Sequence, residues 1–237
     1  MNRRQWIHAI AALALGARSA RADGKRTSTL KPADPTTQRA FKPYYDIGGV
    51  LGFMVYDDAS GDEADARAAI RDTLAQGGQV NDSALNALVP RRLSEAQFFG
   101  DWYNPSDGSL VWNGTVKTAD GQELTRPKFT ALADTNIASS GSGIPDIGQG
   151  GQFAYAFASP PYGLVGPHDK IQKVFDGVRD TLLPTGHVCV ITDWTNPTLE
   201  EVSPYFKPGM EWWGVFLFTI YDATNRRLTV IIGSATD

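Results

Sequence analysis

Apolar side chains recur along the chain with two periods, one near 3.6 residues and one near 2, and the switches between them mark out its elements. Ala66, Ala69, Ile70, Thr73 and Leu74 form an i, i+3, i+4, i+7, i+8 stripe. Ser60 stands three residues before Glu63 in the pattern of a capping box and Gly77-Gly78 ends the run, so the spacing predicts a helix over 61–76. A shorter helix is expected from about Ser83 to Val89, stopped by Pro90. A third opens at the capping box of Ser94 and Gln97 and carries Phe98 and Phe99. Ile171, Val174, Phe175, Val178 and Leu182 make one stripe over about 169–183, closed by Pro184 and Gly186. Asp169 is its expected N-cap, with Gln172 completing the box. Asn196-Pro197 reads as the N-cap and first position of a last short helix ending near Pro204.

Between these stripes the pattern is that of strands. Tyr44 to Tyr56 is aromatic and β-branched but holds three glycines, so a strand with a bend is expected, with a helix as the alternative. Ser109 to Lys117 and Glu123 to Ala131 flank Asp120-Gly121, a hairpin turn signal, and should pair. Gln152 to Ala158 reads as a short aromatic strand and His187 to Trp194 as a buried one. Glu211 to Tyr221 and Arg227 to Gly233 make a final hairpin. Its first strand is apolar on both faces and should lie centrally, covered on both sides. Together these elements predict a single α+β domain over 41–237, with an antiparallel or mixed sheet and helices packed against it.

The N-terminus follows a different pattern. Asn2-Arg3-Arg4-Gln5-Trp6-Ile7-His8 precedes an Ala-rich apolar run and an Ala20-Arg21-Ala22 end, the layout of a secretory signal cleaved after Ala22. The Arg-Arg-x-aromatic-aliphatic-basic run resembles a twin-arginine signal, which implies export of a folded protein; an ordinary secretory signal beginning Arg-Arg fits as well. Either places the protein in the periplasm or outside the cell. The apolar run is too short to span a bilayer, which takes about 20 apolar residues. Residues 23–40, with two prolines and one large apolar side chain, are expected to form a flexible polar leader.

Composition narrows the function classes. Of 237 residues, 22 are Lys or Arg and 26 Asp or Glu, a net charge of −4. The signal carries four arginines and no acids, so its removal leaves 18 against 26, or −8. Without concentrated positive charge, nucleic acid is not the expected partner. One cysteine excludes a disulfide scaffold and a cysteine zinc site. No cofactor motif is present: the Gly-rich run 141–151 lacks the Gly-Lys-Ser/Thr ending of a phosphate loop and reads as a surface loop or lid. Asp57, Asp58, Asp62, Glu63 and Asp65 fail the EF-hand spacing, with Ala59 third and Ala68 twelfth. They are expected to be a solvated helix start.

Two sets of residues carry candidate chemistry. On a strand, His187, Cys189 and Asp193 share one face, the types needed for a thiol nucleophile, its base and an orienting acid. His168, beside the helix start, is a further acid–base candidate. The i, i+2 spacing of His187 and Cys189, about 6.5–7 Å along a strand, argues for a core cysteine instead. The second set is aromatic. Trp102, Tyr103 and Trp112 near the first hairpin, and Trp194 and Trp212 near the last, form a candidate binding surface; core filling is the alternative. The expected function is therefore a non-catalytic exported protein that binds a partner protein, a peptide or an envelope glycan, with a basic partner suited to its charge. The alternative is an exported hydrolase using His168, His187, Cys189 or Asp193.

Overall fold

Long apolar strands with an alternating face must be covered on both sides, and the chain supplies helices for each. The computed structural model describes residues 30–110, 115–117, 123–125, 152–211 and 213–236. Its strands are β1 (Lys31–Pro32), β2 (Gly52–Asp57), β3 (Arg91–Leu93), β4 (Tyr103–Asn104), β5 (Ser109–Leu110), β6 (Thr115–Lys117), β7 (Glu123–Thr125), β8 (Cys189–Asp193), β9 (Val215–Asp222) and β10 (Arg227–Ser234). The α-helices are α1 (Pro35–Gln38), α2 (Lys42–Asp46), α3 (Glu63–Ala75), α4 (Asp82–Ala87), α5 (Glu95–Phe99), α6 (Phe153–Ala158), α7 (His168–Leu182) and α8 (Leu199–Val202).

Six strands make one sheet in the order β1-β2-β10-β9-β8-β3, every neighbouring pair antiparallel. β9 lies inside it, as its two apolar faces predict, paired over its whole length with β10 from Val215↔Ser234 to Asp222↔Arg227. One face presents Phe53, Phe216, Phe218 and Ile231 to α2, α5, α6 and α7. The other presents Met54, Leu217, Val230 and Ile232 to α3, α4 and α8. These are called the α7 face and the α3 face below. The fold is a single α+β domain. Among the described residues no helix is long and apolar enough to cross a membrane.

Several expected elements appear close to their predicted bounds. Ala66, Ala69, Ile70, Thr73 and Leu74 are the buried stripe of α3. The Ser94 capping box of α5 is complete, with Gln97 N donating to Ser94 Oγ and Ser94 N to Gln97 Oε1. β6 and β7 pair antiparallel, Lys117 opposite Glu123. The Asp120-Gly121 turn, the 139–151 loop, Trp112 and Trp212 lie outside the described residues, as does the signal.

Elsewhere the structure corrects the expectation. Phe153 to Ala158 is a helix, because its alternation is of large and small apolar residues, with no polar face for solvent. Phe153 and Phe157, four apart, meet the same core. Tyr44 belongs to α2, not a strand. The chain reverses at Gly48, whose φ is +92°, and at Gly49, where a Cβ would stand 2.3 Å from the Tyr44 ring. The N-cap position of α7 is Pro167, and Gln172 instead accepts from Leu110 N and donates to Gly108 O. Thr198 holds the N-cap position of α8 without a side-chain capping bond, while Asn196 accepts from the Thr198 backbone and hydroxyl. The supposed leader is structured from Lys31 onward. Gln38 donates to Val55 O at 2.8 Å and accepts from Val55 N at 3.2 Å, so its side-chain amide completes the edge of β2 as a strand residue would.

Candidate functional site

The nucleophile candidates lie at one end of the α7 face. Cys189 stands opposite Asp222 in the β8–β9 register. His187 Nδ1 is 2.9 Å from Asp222 Oδ2. Asp222 also accepts from Thr224 N, Asn225 N and Asn225 Nδ2, which close the β9–β10 turn. Burial works to raise the Asp222 pKa, but the His187 bond and the two backbone bonds outweigh it, and the net shift is downward. An ionised carboxylate only accepts, so His187 Nδ1 is the donor. His187 is thereby held by Asp222, a residue that sequence spacing did not single out.

That arrangement does not activate the cysteine. Burial, with Asp222 and Glu95 adding, pushes the Cys189 thiol up to about 11. At neutral pH only roughly one molecule in ten thousand then carries the reactive thiolate. Among the described residues no hydrogen bond reaches Cys189 Sγ, so His187 does not serve it as a base. The cavity beside Asp222, lined by Thr37, Leu182, Pro184 and Arg227 among others, holds about 70 Å³ and includes neither His187 nor Cys189 in its wall. His168 is farther still. It opens α7 in an exposed position, and Leu182, which borders that cavity, lies fourteen residues on, roughly 21 Å along the helix at 1.5 Å per residue.

Asp193 is set apart again. It is buried, its Oδ1 accepts from Thr195 N at 2.9 Å, and its Oδ2 makes no hydrogen bond. Arg91 Nη2 comes only to 3.8 Å. Burial dominates over these contacts and raises the Asp193 pKa to about 7. His168, His187, Cys189 and Asp193 therefore do not converge. Nor do three or more His, Cys, Asp or Glu side chains gather to hold a metal ion, among the described residues.

Of the expected aromatic binding surface, Trp102, Tyr103 and Trp194 lie among the described residues, and they pack inward. Trp102 is buried and packs edge-on against Tyr155, and Tyr103 stacks on Phe99 at 4.3 Å. Trp194 is buried, with Arg67 over its ring at 4.9 Å and its Nε1 donating to Thr219 Oγ1 at 2.9 Å. These rings fill the two cores, because a large flat side chain gains most where it is covered on both sides.

Trp194 nevertheless borders a groove of about 200 Å³ on the α3 face. α3 lies over β2 and β10 and leaves the β8 side of this face open. The floor is Thr192 of β8 and Thr219 of β9, directly opposite each other in register. Arg92 of β3 forms one wall and donates through Nη1 to Thr192 Oγ1 at 2.8 Å. Asp62 and Glu63, at the start of α3, form the other. Gly61 allows that wall to close: its φ is +81°, and a Cβ there would stand 2.3 Å from the Tyr221 ring. The only sequence trace of this floor is a pair of threonines on otherwise apolar strands. Their juxtaposition comes from register, which spacing along one strand does not reveal.

No known protein-family model, curated protein or solved structure matches the chain.

Proposed function

We propose that the protein is an exported, non-catalytic binding domain that engages a partner peptide or protein segment through the groove between Arg92 and the start of α3. The groove carries the reading: it is open, walled by charge of both signs, and floored by buried hydroxyls. Its volume, below the roughly 300–1,000 Å³ usual for sites that enclose a drug-sized molecule, suits one side chain or chain end better than an oligosaccharide. The inert thiol and the dispersed histidines weigh against the hydrolase alternative. Export rests on the Arg3-Arg4 signal pattern, and a basic partner on the acidic chain left once it is removed.

The reading is tested by using the full chain and its Arg92→Gln/Thr192→Val double variant as baits for envelope extract, at low and high salt. A partner held by the parent and lost by the variant is expected. Equal capture by both, or none by either, counts against the groove as the binding site.

A further inference from the structure

The floor of the groove is short of acceptors. An indole N–H and a guanidinium N–H can only donate, so Trp194 Nε1 fixes Thr219 Oγ1 as an acceptor, and Arg92 Nη1 does the same to Thr192 Oγ1. Each hydroxyl is left with its own proton to donate. Among the described residues neither donates it to any protein acceptor, although Thr192 and Thr219 are 7% and 2% exposed. Arg92 spends one of its five N–H groups on Thr192 and has no other protein partner among those residues. Three groups with donors to spare thus line one groove, with no protein acceptor for them among the described residues. A buried donor left unmet costs about 1–3 kcal/mol, so such a groove draws an oxygen-rich group.

The facing wall selects the kind of group. Asp62 uses Oδ1 to cap Asp65 N, and Glu63 uses Oε1 to hold Arg67, which leaves Asp62 Oδ2 and Glu63 Oε2 without a protein partner among the described residues. The charged lining is Arg92 against Asp62 and Glu63, with Arg67 outside the groove and held by Glu63 Oε1. A dianion would meet the two carboxylates across the groove, whereas a carboxylate with a cation beside it satisfies both walls. Val190, Leu228 and Ala66 add an apolar stretch between them.

We infer that this groove is a carboxylate seat, in which Thr192 Oγ1, Thr219 Oγ1 and Arg92 donate to a carboxylate group, and that Asp62 and Glu63 favour a carboxylate carrying an ammonium group beside it. The inference rests on the groove being the binding site, as proposed above; the ammonium preference specifies a free amino acid as occupant, and its failure returns the groove to the peptide segment of that reading. The carboxylate is supplied either by a free amino acid or by the end of a peptide, and the two sources separate experimentally.

Calorimetric titration of the full chain with L-leucine, N-acetyl-L-leucine, L-leucinamide and the tripeptide Gly-Gly-Leu tests it. L-leucine is expected to bind more tightly than N-acetyl-L-leucine, and leucinamide not to bind. Gly-Gly-Leu binding as tightly as leucine assigns the carboxylate to a peptide end and removes the selective role of Asp62 and Glu63. Thr192→Val and Arg92→Gln should each weaken the best ligand about tenfold or more, the loss of a hydrogen bond to a charged acceptor. Because Arg92 is exposed, Arg92→Gln keeps the test open should the buried substitution impair folding. Leucinamide binding as well as leucine, or no binding by any of the four, overturns the carboxylate seat. If that happens while the double variant still loses a partner from extract, the binding role stands and only its chemistry falls.

Discussion

At the scale of single residues, surroundings decide the chemistry more than identity does. Asp193 and Asp222 are both carboxylates on the α7 face, yet one is pushed up to about 7 and the other down. The difference lies in donors: Asp222 receives four hydrogen bonds, Asp193 one from a backbone N–H and a distant guanidinium. Because the folded Asp193 holds its proton above the ordinary 3.8, folding is favoured at low pH, and that contribution is lost as pH rises through about 7. Asp222 acts in the opposite sense, its stabilisation being lost as pH falls below the ordinary carboxylate range. Asp193→Asn keeps an oxygen for Thr195 N and removes the charge. The variant should be more stable than the parent at pH 8 by on the order of 2–4 kcal/mol, with the advantage vanishing toward pH 4. Urea unfolding at several pH values checks this; parallel stability curves for the two proteins would show that Asp193 does not titrate in that window.

Elements show which patterns could be read along the chain. α3, α5 and α7 were legible because each shows an apolar stripe or a capping box, signals confined to neighbouring residues. α6 was not, since Phe-Ala-Tyr-Ala-Phe-Ala alternates in size while remaining apolar throughout, and only the surrounding core settles a helix. The groove was illegible for a related reason: Arg92, Thr192 and Thr219 come from three strands brought together by register. Glycines make the same contrast testable. Gly61 sits at φ +81° against the Tyr221 ring, so Gly61→Ala should destabilise by about 1–3 kcal/mol and disturb the groove. Gly177 lies exposed inside α7, and a Cβ there meets nothing within 4 Å, so Gly177→Ala should stabilise by about 0.5–1 kcal/mol. Thermal or urea unfolding of the pair reads both signs, and a stabilising Gly61→Ala would contradict the account of that wall.

For the whole molecule, the decisive question is where the folded unit begins. β2 is a long apolar strand near the edge of the sheet, and an open edge of that kind invites pairing with other chains. Residues 31–41 cover it by three separate means. Lys31 and Pro32 pair with Asp57 and Tyr56, Ala33 N donates to Val55 O, and Gln38 clamps both backbone groups of Val55. Phe41, buried, stacks on Phe53 at 4.3 Å and seals the α7 face beneath them. Proline in β1 then keeps the new outer edge from extending the sheet. A chain beginning at residue 30 keeps all of these contacts and, with one beginning at residue 23, serves as the reference. A chain beginning at residue 42 loses Phe41 along with the Gln38 clamp. Since removing one large core ring alone costs about 3–5 kcal/mol, it should be destabilised by at least that much. It should also self-associate through the uncovered β2 edge. Urea unfolding and size-exclusion chromatography of the three chains give the comparison. Equal stability of all three, with the shortest remaining monomeric, would return residues 31–41 to the status of a dispensable leader.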